Sequence, residues 1–385
     1  MDRSVTTLGT AWGRYGFKPF GIRQGDRMQH LYLIGQTGTG KSTLLLNMAL
    51  QDAARGTGFC LIDPHGDLAG ALHARACDDV LIWRPYDPGC TLGYNPLTRT
   101  TPALRPLVCS GLIATLRHQW ADAWGVRMEH LLRHAILALL DQPSTDLRDV
   151  MRLFLDREFR KQVVARVSDP QLLQFWCEEY PGMNYKTAAD GVVPIANKLG
   201  AFLSHPVVRN ALCTPQDPLR LRALMDGGGM LIVDLSKGRL GADMANLLGG
   251  LVVSALTHAA FTRDPASARR PFMLYVDEFH NFTTDALAET LSETRKYGLA
   301  LTLAQQHCRQ SSDALFAGIM GNVGSLVAFR TGPLDAGLIA QHLGEVTPEQ
   351  LVSLPNYQTL VRLMVDGSQS CAFSADMAPP PRAQA

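Results

Sequence analysis

The stretch from Leu31 to Ser42, LYLIGQTGTGKS, constrains this chain more than any other. Residues 31–34 are apolar and predict a short buried strand, and the next eight residues match G-x-x-x-x-G-K-[ST] in full. Glycines let successive backbone N–H groups of such a loop point inward at phosphate oxygens. The helix-forming residues 43–53 add a helix N-terminus, which favours negative charge. The sequence therefore predicts a phosphate-binding loop between a strand and a helix.

The residue types in this loop assign its expected ligands. Lys41 carries a charge that can reach the β- and γ-phosphates, and the Ser42 hydroxyl is expected to coordinate Mg²⁺. ATP and Mg²⁺ are the expected cofactors. The residues expected to bind the nucleotide are Gly35, Gln36, Thr37, Gly38, Thr39, Gly40, Lys41, Ser42 and Thr43.

A second motif, FMLYVDE, contains Asp277, which lies 236 positions after Lys41. Its apolar residues 272–276 predict a buried strand that delivers Asp277 at the carboxyl end, where ligands bind in open α/β sheets. Asp277 is expected to hold the Mg²⁺ shell, and Glu278 to act as the base that polarises the attacking water. The alternative is that the two acids only cap the next helix. Together with the phosphate loop, the pair predicts an ATPase rather than a kinase.

Three further residues are candidates for the catalytic set. The strand LALTLA ends at Gln305-Gln306, and Gln306 is the preferred candidate to contact the γ-phosphate or the water. Arg295 and Arg330 are each candidates for an arginine finger, with a surface salt bridge as the alternative for either.

The order of predicted elements indicates an α/β chain with one mostly parallel sheet covered on both faces. Residues 1–24 are expected to be irregular, and residues 377–385 to form a disordered tail. Helical periodicity predicts an all-α insertion over 101–220, between the two parts of the α/β domain at 25–100 and 221–376. The insertion accounts for the long interval between the two motifs.

The net charge limits how this chain could bind nucleic acid. The net charge of +1 is too small for a monomer with a broad nucleic-acid-binding face, so DNA contacts would come from local charge or from an assembled ring. Loops near Lys237 and Arg239 are candidates for such contacts.

Eight cysteines without a C-x-x-C pair fit a reducing cytosol. No signal peptide is visible, and the uncharged stretch 244–261 is expected to be a buried helix rather than a membrane span.

Two histidine patterns are not read as metal sites. His130 and His134 lie one helical turn apart, but no third ligand is evident and their order is not H-E-x-x-H. His65, between two aspartates, is read as a turn residue.

Taken in order, nine motifs resemble the FtsK/HerA superfamily of ring-forming DNA motors, and most of all the conjugative coupling proteins of type IV secretion, the TraD/TraG type. The motifs are IGQTGTGKS, IDPHGDL, GYNPL, WGVRMEHLLRHAILALL, NKLGAFLSHPVVRN, LIVDLSKGRLG, YVDEFHNF, ETRKYGLALTLAQQ and GNVGSLVAFRTGPLDA. The likeness runs from about residue 25 to residue 365.

This resemblance implies a RecA-like motor domain with an inserted all-α domain, a homohexamer, and ATP-driven movement of DNA through a central pore. Lys41 looks like the Walker A lysine, Asp277 and Glu278 like the Walker B pair, and Gln306 like the sensor. Arg295 is then the first choice for a finger acting on a neighbouring subunit, and Arg330 the second. Typical coupling proteins begin with two transmembrane helices and the printed sequence has none, so the expected location is the cytoplasm, with recruitment to the inner membrane by a partner left open.

Three functions follow from these patterns. The leading one is a hexameric DNA-translocating ATPase for conjugative transfer, with relaxase or secretion-channel proteins as partners. The second is a HerA-like motor that works beside a nuclease in DNA processing or phage defence. The third is an adaptor that uses nucleotide only as a switch to recruit protein or nucleoprotein cargo, although a switch does not need a base such as Glu278. Whether the DNA is single- or double-stranded stays open.

Overall fold

The computed structural model describes residues 4–13, 16–76, 79–98, 100–183, 185–213, 215–264, 269–283 and 285–380. In these residues the strands, in chain order, are β1 (Val5–Gly13), β2 (Gly16–Arg23), β3 (Leu31–Ile34), β4 (Gly58–Asp63), β5 (Val80–Trp83), β6 (Leu92–Gly93), β7 (Asp217–Pro218), β8 (Met230–Asp234), β9 (Phe272–Val276), β10 (Leu299–Gln305), β11 (Ser325–Ala328), β12 (Gln358–Arg362), β13 (Met364–Val365), β14 (Ser368–Gln369) and β15 (Phe373–Met377).

The α-helices of the described residues are α1 (Gln24–Arg27), α2 (Lys41–Arg55), α3 (Asp67–His73), α4 (Arg105–Gln119), α5 (Val126–Leu140), α6 (Arg148–Leu155), α7 (Arg157–Val164), α8 (Pro170–Gln174), α9 (Tyr180–Gly182), α10 (Tyr185–Ser204), α11 (Pro206–Leu212), α12 (Leu221–Gly227), α13 (Lys237–Leu240), α14 (Ala242–Phe261), α15 (Asp285–Thr294), α16 (Asp313–Asn322), α17 (Pro333–Leu343) and α18 (Pro348–Val352). Single 3₁₀ turns span Pro102–Leu104, Ala121–Ala123, Phe279–Asn281, Arg295–Tyr297 and Cys308–Gln310, and a π-helical turn spans Phe175–Glu179.

The chain divides into two compact units. The first, here the sheet unit, contains Met1–Trp83, Leu221–Gly238 and Ala259–Ala385. The second, here the helical unit, contains Arg84–Arg220 and Arg239–His258.

The sheet unit is built on one large sheet with the strand order β2-β1-β15-β12-β11-β3-β10-β9-β4-β8-β5. From β11 to β5 every pairing is parallel, and from β2 to β12 every pairing is antiparallel. The strands β3, β4, β8, β9 and β10 are buried along their whole length, as expected when helices cover both faces of a parallel sheet. The α/β prediction is confirmed, and an antiparallel edge is added to the parallel sheet.

The register of the parallel strands brings their carboxyl ends to one edge. Leu303 of β10 pairs with both Tyr32 of β3 and Val276 of β9, so the loops after these three strands begin side by side. Three of the sequence motifs therefore meet at this edge, which contains the candidate site.

The expectation of an irregular segment over 1–24 is wrong. Residues 5–13 and 16–23 form the antiparallel pair β1–β2, and Leu8 and Ile22 are almost fully buried in the core. Glycines interrupt the alternation that normally reveals a strand. At Gly9 the partner strand approaches so closely that a Cβ atom would lie 2.1 Å from the Asp376 carbonyl oxygen. Only glycine fits this pairing, so the residue that hides the strand in the sequence is the one that permits it.

The expected tail at 377–385 also begins too early. Met377 is the last residue of β15 and pairs with Gly9. The Asn47 amide of α2 donates hydrogen bonds to the carbonyl oxygens of Ala378, at 2.9 Å, and Pro379, at 3.1 Å. Residues 381–385 lie outside the described residues.

The unit boundaries differ from the expected ones at 100 and 221. Residues 84–100 group with the helical unit because β6 pairs with β7 and the Tyr94 N–H donates to the Ala211 carbonyl at 2.7 Å. Residues 239–258 also group with it, because α14 packs closely against α4. A Cβ atom at Gly111 of α4 would lie only 2.1 Å from the His258 ring of α14. These are contacts between distant parts of the chain, which a composition change along the sequence does not reveal.

The helical unit is held together by buried helices with ordinary helical spacing. Helix α5 contacts α4, α6 and α10. Asp169 caps α8 by accepting from the Gln171 and Leu172 N–H groups, with Pro170 at the first helical position. His134 stacks on Phe175 with ring centroids 3.9 Å apart. In the described residues no group of three or more His, Cys, Asp or Glu side chains could hold a metal.

Helix α14 is the candidate membrane span of the sequence. By length and composition it could cross a bilayer, but 61% of its most apolar window is buried inside the protein. That burial favours a core helix.

A buried ion pair stabilises the sheet unit beneath α2. The Arg27 guanidinium donates two 2.8 Å hydrogen bonds to the Asp52 carboxylate, and a third of 2.5 Å to the Tyr275 hydroxyl. Both charged side chains are almost fully buried. Burial lowers the pKa of Arg27, but its interactions with Tyr275 and Asp52 raise that pKa above its ordinary value.

We predict that Asp52→Asn destabilises the protein by about 3–5 kcal/mol, because it leaves the buried Arg27 charge without an opposite charge. The urea unfolding midpoint measures this effect. The control is Glu293→Ala, which removes the exposed partner of Lys296 and should change the free energy of unfolding by less than about 1 kcal/mol. Equal shifts in the two variants would contradict a stabilising role for the buried pair.

Candidate nucleotide site

The phosphate-loop sequence lies where the motif predicts, between the end of β3 and the start of α2. The Gly35 N–H donates to the Gln305 carbonyl at 3.3 Å, and the Gln36 N–H donates to the Arg330 carbonyl at 2.8 Å. Gly40 has a φ of 121°, and a Cβ atom there would lie 2.9 Å from the Tyr357 ring. The loop is thus fixed at both flanks by the strands beside it, in a conformation that requires glycine.

The side chains of the loop divide into buried and accessible groups. Thr37, Gly38 and Ser42 are exposed, whereas Thr39 and Lys41 are buried. The Lys41 ammonium donates to the Gly35 carbonyl at 2.6 Å and to the Gln36 carbonyl at 3.2 Å. Burial lowers the pKa of Lys41, and the nearby carboxylates of Glu278 and Asp277 act in the opposite direction. The lysine side chain therefore bends back over the loop, and its charge lies close to the two acids.

Asp277 faces the first turn of α2. Its carboxylate accepts a 3.2 Å hydrogen bond from the Ser42 hydroxyl, and its side chain is 5% exposed. Burial, and after it the neighbouring acids Asp63 and Glu278, raise the pKa of Asp277 to about 6, although Lys41 and Ser42 act in the opposite direction. A hydroxyl and a carboxylate at this distance are hard oxygen ligands of the kind Mg²⁺ prefers, so these two residues fit the predicted metal.

Glu278 has a strained backbone. Its φ of 47° lies in the left-handed region, which a residue with a side chain rarely adopts. Its carboxylate is buried and accepts a 2.8 Å hydrogen bond from the Gln306 amide, and the His280 ring nitrogen Nδ1 lies 3.6 Å from its other oxygen. The Asn281 amide donates to the Glu278 carbonyl at 2.9 Å. Strain of this kind occurs mainly at functional sites, where the surroundings hold it in place.

The two glutamines after β10 have different positions. The Gln305 amide is buried and donates to the Tyr32 hydroxyl at 2.6 Å, while its oxygen accepts from the Ser311 hydroxyl. Gln306 is the one that faces the acidic pair. The alternation of a strand places neighbouring residues on opposite sides, so only one of the two can reach the site.

The two candidate arginine fingers lie at opposite ends of the parallel strands. Arg330, just after β11, lies at the loop edge and donates to Gln36 Oε1 at 3.3 Å, to the Leu354 carbonyl at 3.1 Å and to Asn356 Oδ1 at 2.9 Å. Arg295 is exposed and precedes β10. Seven strand residues separate it from the loop edge, a distance of about 20 Å, so it cannot reach the phosphate loop of its own chain.

The loop candidates Lys237 and Arg239 contact other residues of the chain. The Lys237 ammonium donates to Asn281 Oδ1 at 2.8 Å, which links it to the turn that carries Glu278. The Arg239 guanidinium lies 5.1 Å from the centroid of the Tyr86 ring.

Three residues at this edge were not predicted as site residues. Asp63 is fully buried beside Asp277 and accepts from the His65 and Ala69 N–H groups, both at 2.8 Å. Like Asp277 it follows an apolar strand, so the same pattern could have found it. His280 lies two residues after Glu278 in the motif YVDEFHNF. Tyr357 approaches the site only through the fold, and no sequence signal singles it out.

One family model matches the chain over residues 18–173, that of the type IV secretion-system coupling protein DNA-binding domain. Residues 18–173 are therefore similar to the coupling-protein family. The resemblance inferred from the motifs is confirmed.

Among curated proteins, the type 4 coupling protein DotL of Legionella pneumophila is 21% identical, over 73% of this chain. The chain spans 44% of the length of that relative. The likeness to this coupling protein therefore extends well beyond the phosphate loop.

Solved structures share the fold. The plasmid coupling protein TrwB, solved in complex with ADP and Mg²⁺, is 19% identical with a TM-score of 0.69, and the alignment covers 94% of this chain and 88% of that one. VirB4 of Thermoanaerobacter pseudethanolicus is 15% identical with a TM-score of 0.68, over 99% and 98% of the two chains. The expected RecA-like fold with a helical insert is confirmed.

We predict that Asp277→Asn stabilises the ligand-free protein by about 3 kcal/mol at pH 7.5. The folded pKa of about 6 lies above the ordinary 3.8, so above pH 6 the folded state carries the full cost of the buried charge. As the pH falls from 6 toward 4 the folded protein is protonated first, and the advantage of the variant shrinks.

Thermal unfolding at several pH values measures this difference, with the exposed Asp313→Asn as the control. A variant less stable than the wild type at pH 7.5 would contradict the buried-charge argument.

Proposed function

We propose that this chain is the ATP-hydrolysing motor of a type IV secretion system, which acts as a homohexamer and moves DNA. The carrying observation is the assembly at one sheet edge of the phosphate loop, Asp277 beside Ser42, and a strained Glu278 that contacts Gln306. The family match over 18–173 supports the DNA substrate and the secretion context. The ADP and Mg²⁺ bound by TrwB support ATP and Mg²⁺ as the ligands of the corresponding loop here.

The residues of the site suit hydrolysis of the γ-phosphate. Lys41 exchanges its bonds to the loop carbonyls for phosphate oxygens, and Ser42 and Asp277 supply ligands for Mg²⁺. When bound, that ion neutralises charge on the β- and γ-phosphate oxygens. Glu278 accepts a proton from the water that attacks the γ-phosphorus, and the bond to the β–γ bridging oxygen breaks to release ADP and phosphate. Gln306, bonded to Glu278, holds the carboxylate and the water in line.

The cytoplasm is the proposed location, since ATP and the DNA cargo are both available there. Recruitment to the inner membrane by a partner is part of the same proposal.

We expect single- or double-stranded DNA to stimulate steady-state ATP hydrolysis by the purified chain at least about tenfold at low salt, where phosphate contacts are strongest. Glu278→Gln should lower kcat by about 10² to 10⁴ because the proton acceptor is lost. Its ATP affinity should stay close to that of the wild type. The DNA form that stimulates identifies the cargo.

A rate that is indifferent to both DNA forms would contradict the motor. Slow DNA-independent turnover would favour the nucleotide-switched adaptor. Stimulation only after addition of a nuclease subunit would favour the HerA-like alternative.

The position of Arg295 predicts that it acts in a neighbouring subunit. Arg295→Ala and Lys41→Ala should each be nearly inactive alone, while a one-to-one mixture should recover about a quarter of wild-type turnover. That is the share of ring interfaces in which an intact loop meets an intact Arg295.

The matched control is Arg330→Ala mixed with Lys41→Ala. Arg330 contacts Gln36 of its own chain, so this mixture should stay inactive. Recovery with the Arg330 variant, or none with the Arg295 variant, would reverse the assignment.

A further inference from the structure

The loop that precedes β12 brings an aromatic ring to the phosphate loop. The Tyr357 N–H donates to the Thr39 carbonyl at 2.8 Å, and the Tyr357 carbonyl accepts from the Met377 N–H at 2.9 Å. Its ring edge lies against Gly40, and the residue is 42% exposed. The backbone is therefore clamped on both sides while part of the ring faces solvent.

Tyr357 holds this position in an unfavourable backbone conformation. Its φ of 66° is in the left-handed region, which is uncommon for a bulky residue. Such a conformation persists only where the surroundings determine it, and it occurs mainly at ligand sites. The clamping bonds to Thr39 and Met377 are that surrounding structure here.

Arg330 ties the same loop to the phosphate loop. One of its nitrogens donates to Gln36, and the other two donate to the Leu354 carbonyl and the Asn356 amide oxygen. These contacts fix residues 354–357 relative to the loop, so Arg330 acts as a positioning residue for Tyr357.

The strand order indicates which part of a bound nucleotide would contact the Tyr357 ring. Asp277 and Glu278 follow β9 and Gln306 follows β10, so the γ-phosphate end lies on that side of β3. We therefore expect the ribose and base to leave the loop on the other side of β3, where β11 and β12 lie. Tyr357 immediately precedes β12 at this edge, because β12 runs antiparallel to β11.

Resting on the proposed function, we propose that Tyr357 is the stacking platform for the nucleobase of the bound nucleotide. A ring with an exposed π-face accepts an aromatic base by stacking. The platform adds affinity for the base, separately from the phosphate contacts of residues 35–42.

The experiment compares ADP with inorganic pyrophosphate, each in the presence of Mg²⁺, by titration calorimetry on the full chain. Tyr357→Leu keeps an apolar side chain against Gly40 but removes the π-face. It should weaken ADP binding about tenfold and leave pyrophosphate binding within about twofold. Tyr357→Phe and Tyr357→Trp should retain ADP binding within about threefold.

The tryptophan variant also provides an optical signal that packing alone would not produce. Its added fluorescence, relative to the wild type, should be quenched by ADP and not by pyrophosphate.

Each other outcome has a distinct meaning. An equal loss of ADP and pyrophosphate affinity in Tyr357→Leu would overturn the platform and make Tyr357 a structural cover of the loop. Unchanged ADP affinity would overturn it as well. A wild-type chain that binds neither ligand would instead overturn the proposed function.

Discussion

The parallel pairing of β3 with β10, and of β10 with β9, is the constraint on which the site depends. Its register starts the loops at Gly35, Gln306 and Asp277 from the same sheet edge. Backbone hydrogen bonds of strands buried on both faces hold this register, and a slip of one residue would turn every side chain to the opposite face. The chemistry of the edge is therefore fixed by the sheet rather than by the loops themselves.

Burial at this edge has two opposite consequences. It places Asp277 and Glu278 where water is scarce, which strengthens their interactions with Lys41 and with a bound cation. It also raises the pKa of Asp277. Glu278 in addition has a strained backbone, so the ligand-free site is held at a cost in stability. Buried groups away from the edge, such as Arg27 and Asp52, are fully paired and stabilise the same unit.

The antiparallel strands of the sheet lie on the other side of β3 from the acidic pair. Because β12 and β15 run against β11, the residues before β12 and after β15 lie at the loop edge. Tyr357 and Ala378 are placed there by strands that carry no nucleotide-binding motif. The strand ends next to the phosphate loop therefore belong to both the parallel and the antiparallel part of the sheet.

The sequence alone determined the phosphate loop, the acidic pair, the choice of an α/β fold and the all-α character of the insertion, because each rests on neighbouring residues and local periodicity. It missed the antiparallel pair β1–β2, where Gly9 breaks the pattern that a strand needs. Only the tertiary structure decided that Gln306 faces Glu278, that Arg330 lies at the loop edge and Arg295 at the opposite edge, and that Tyr357 borders Gly40. These facts depend on strand order and register, which join residues hundreds of positions apart.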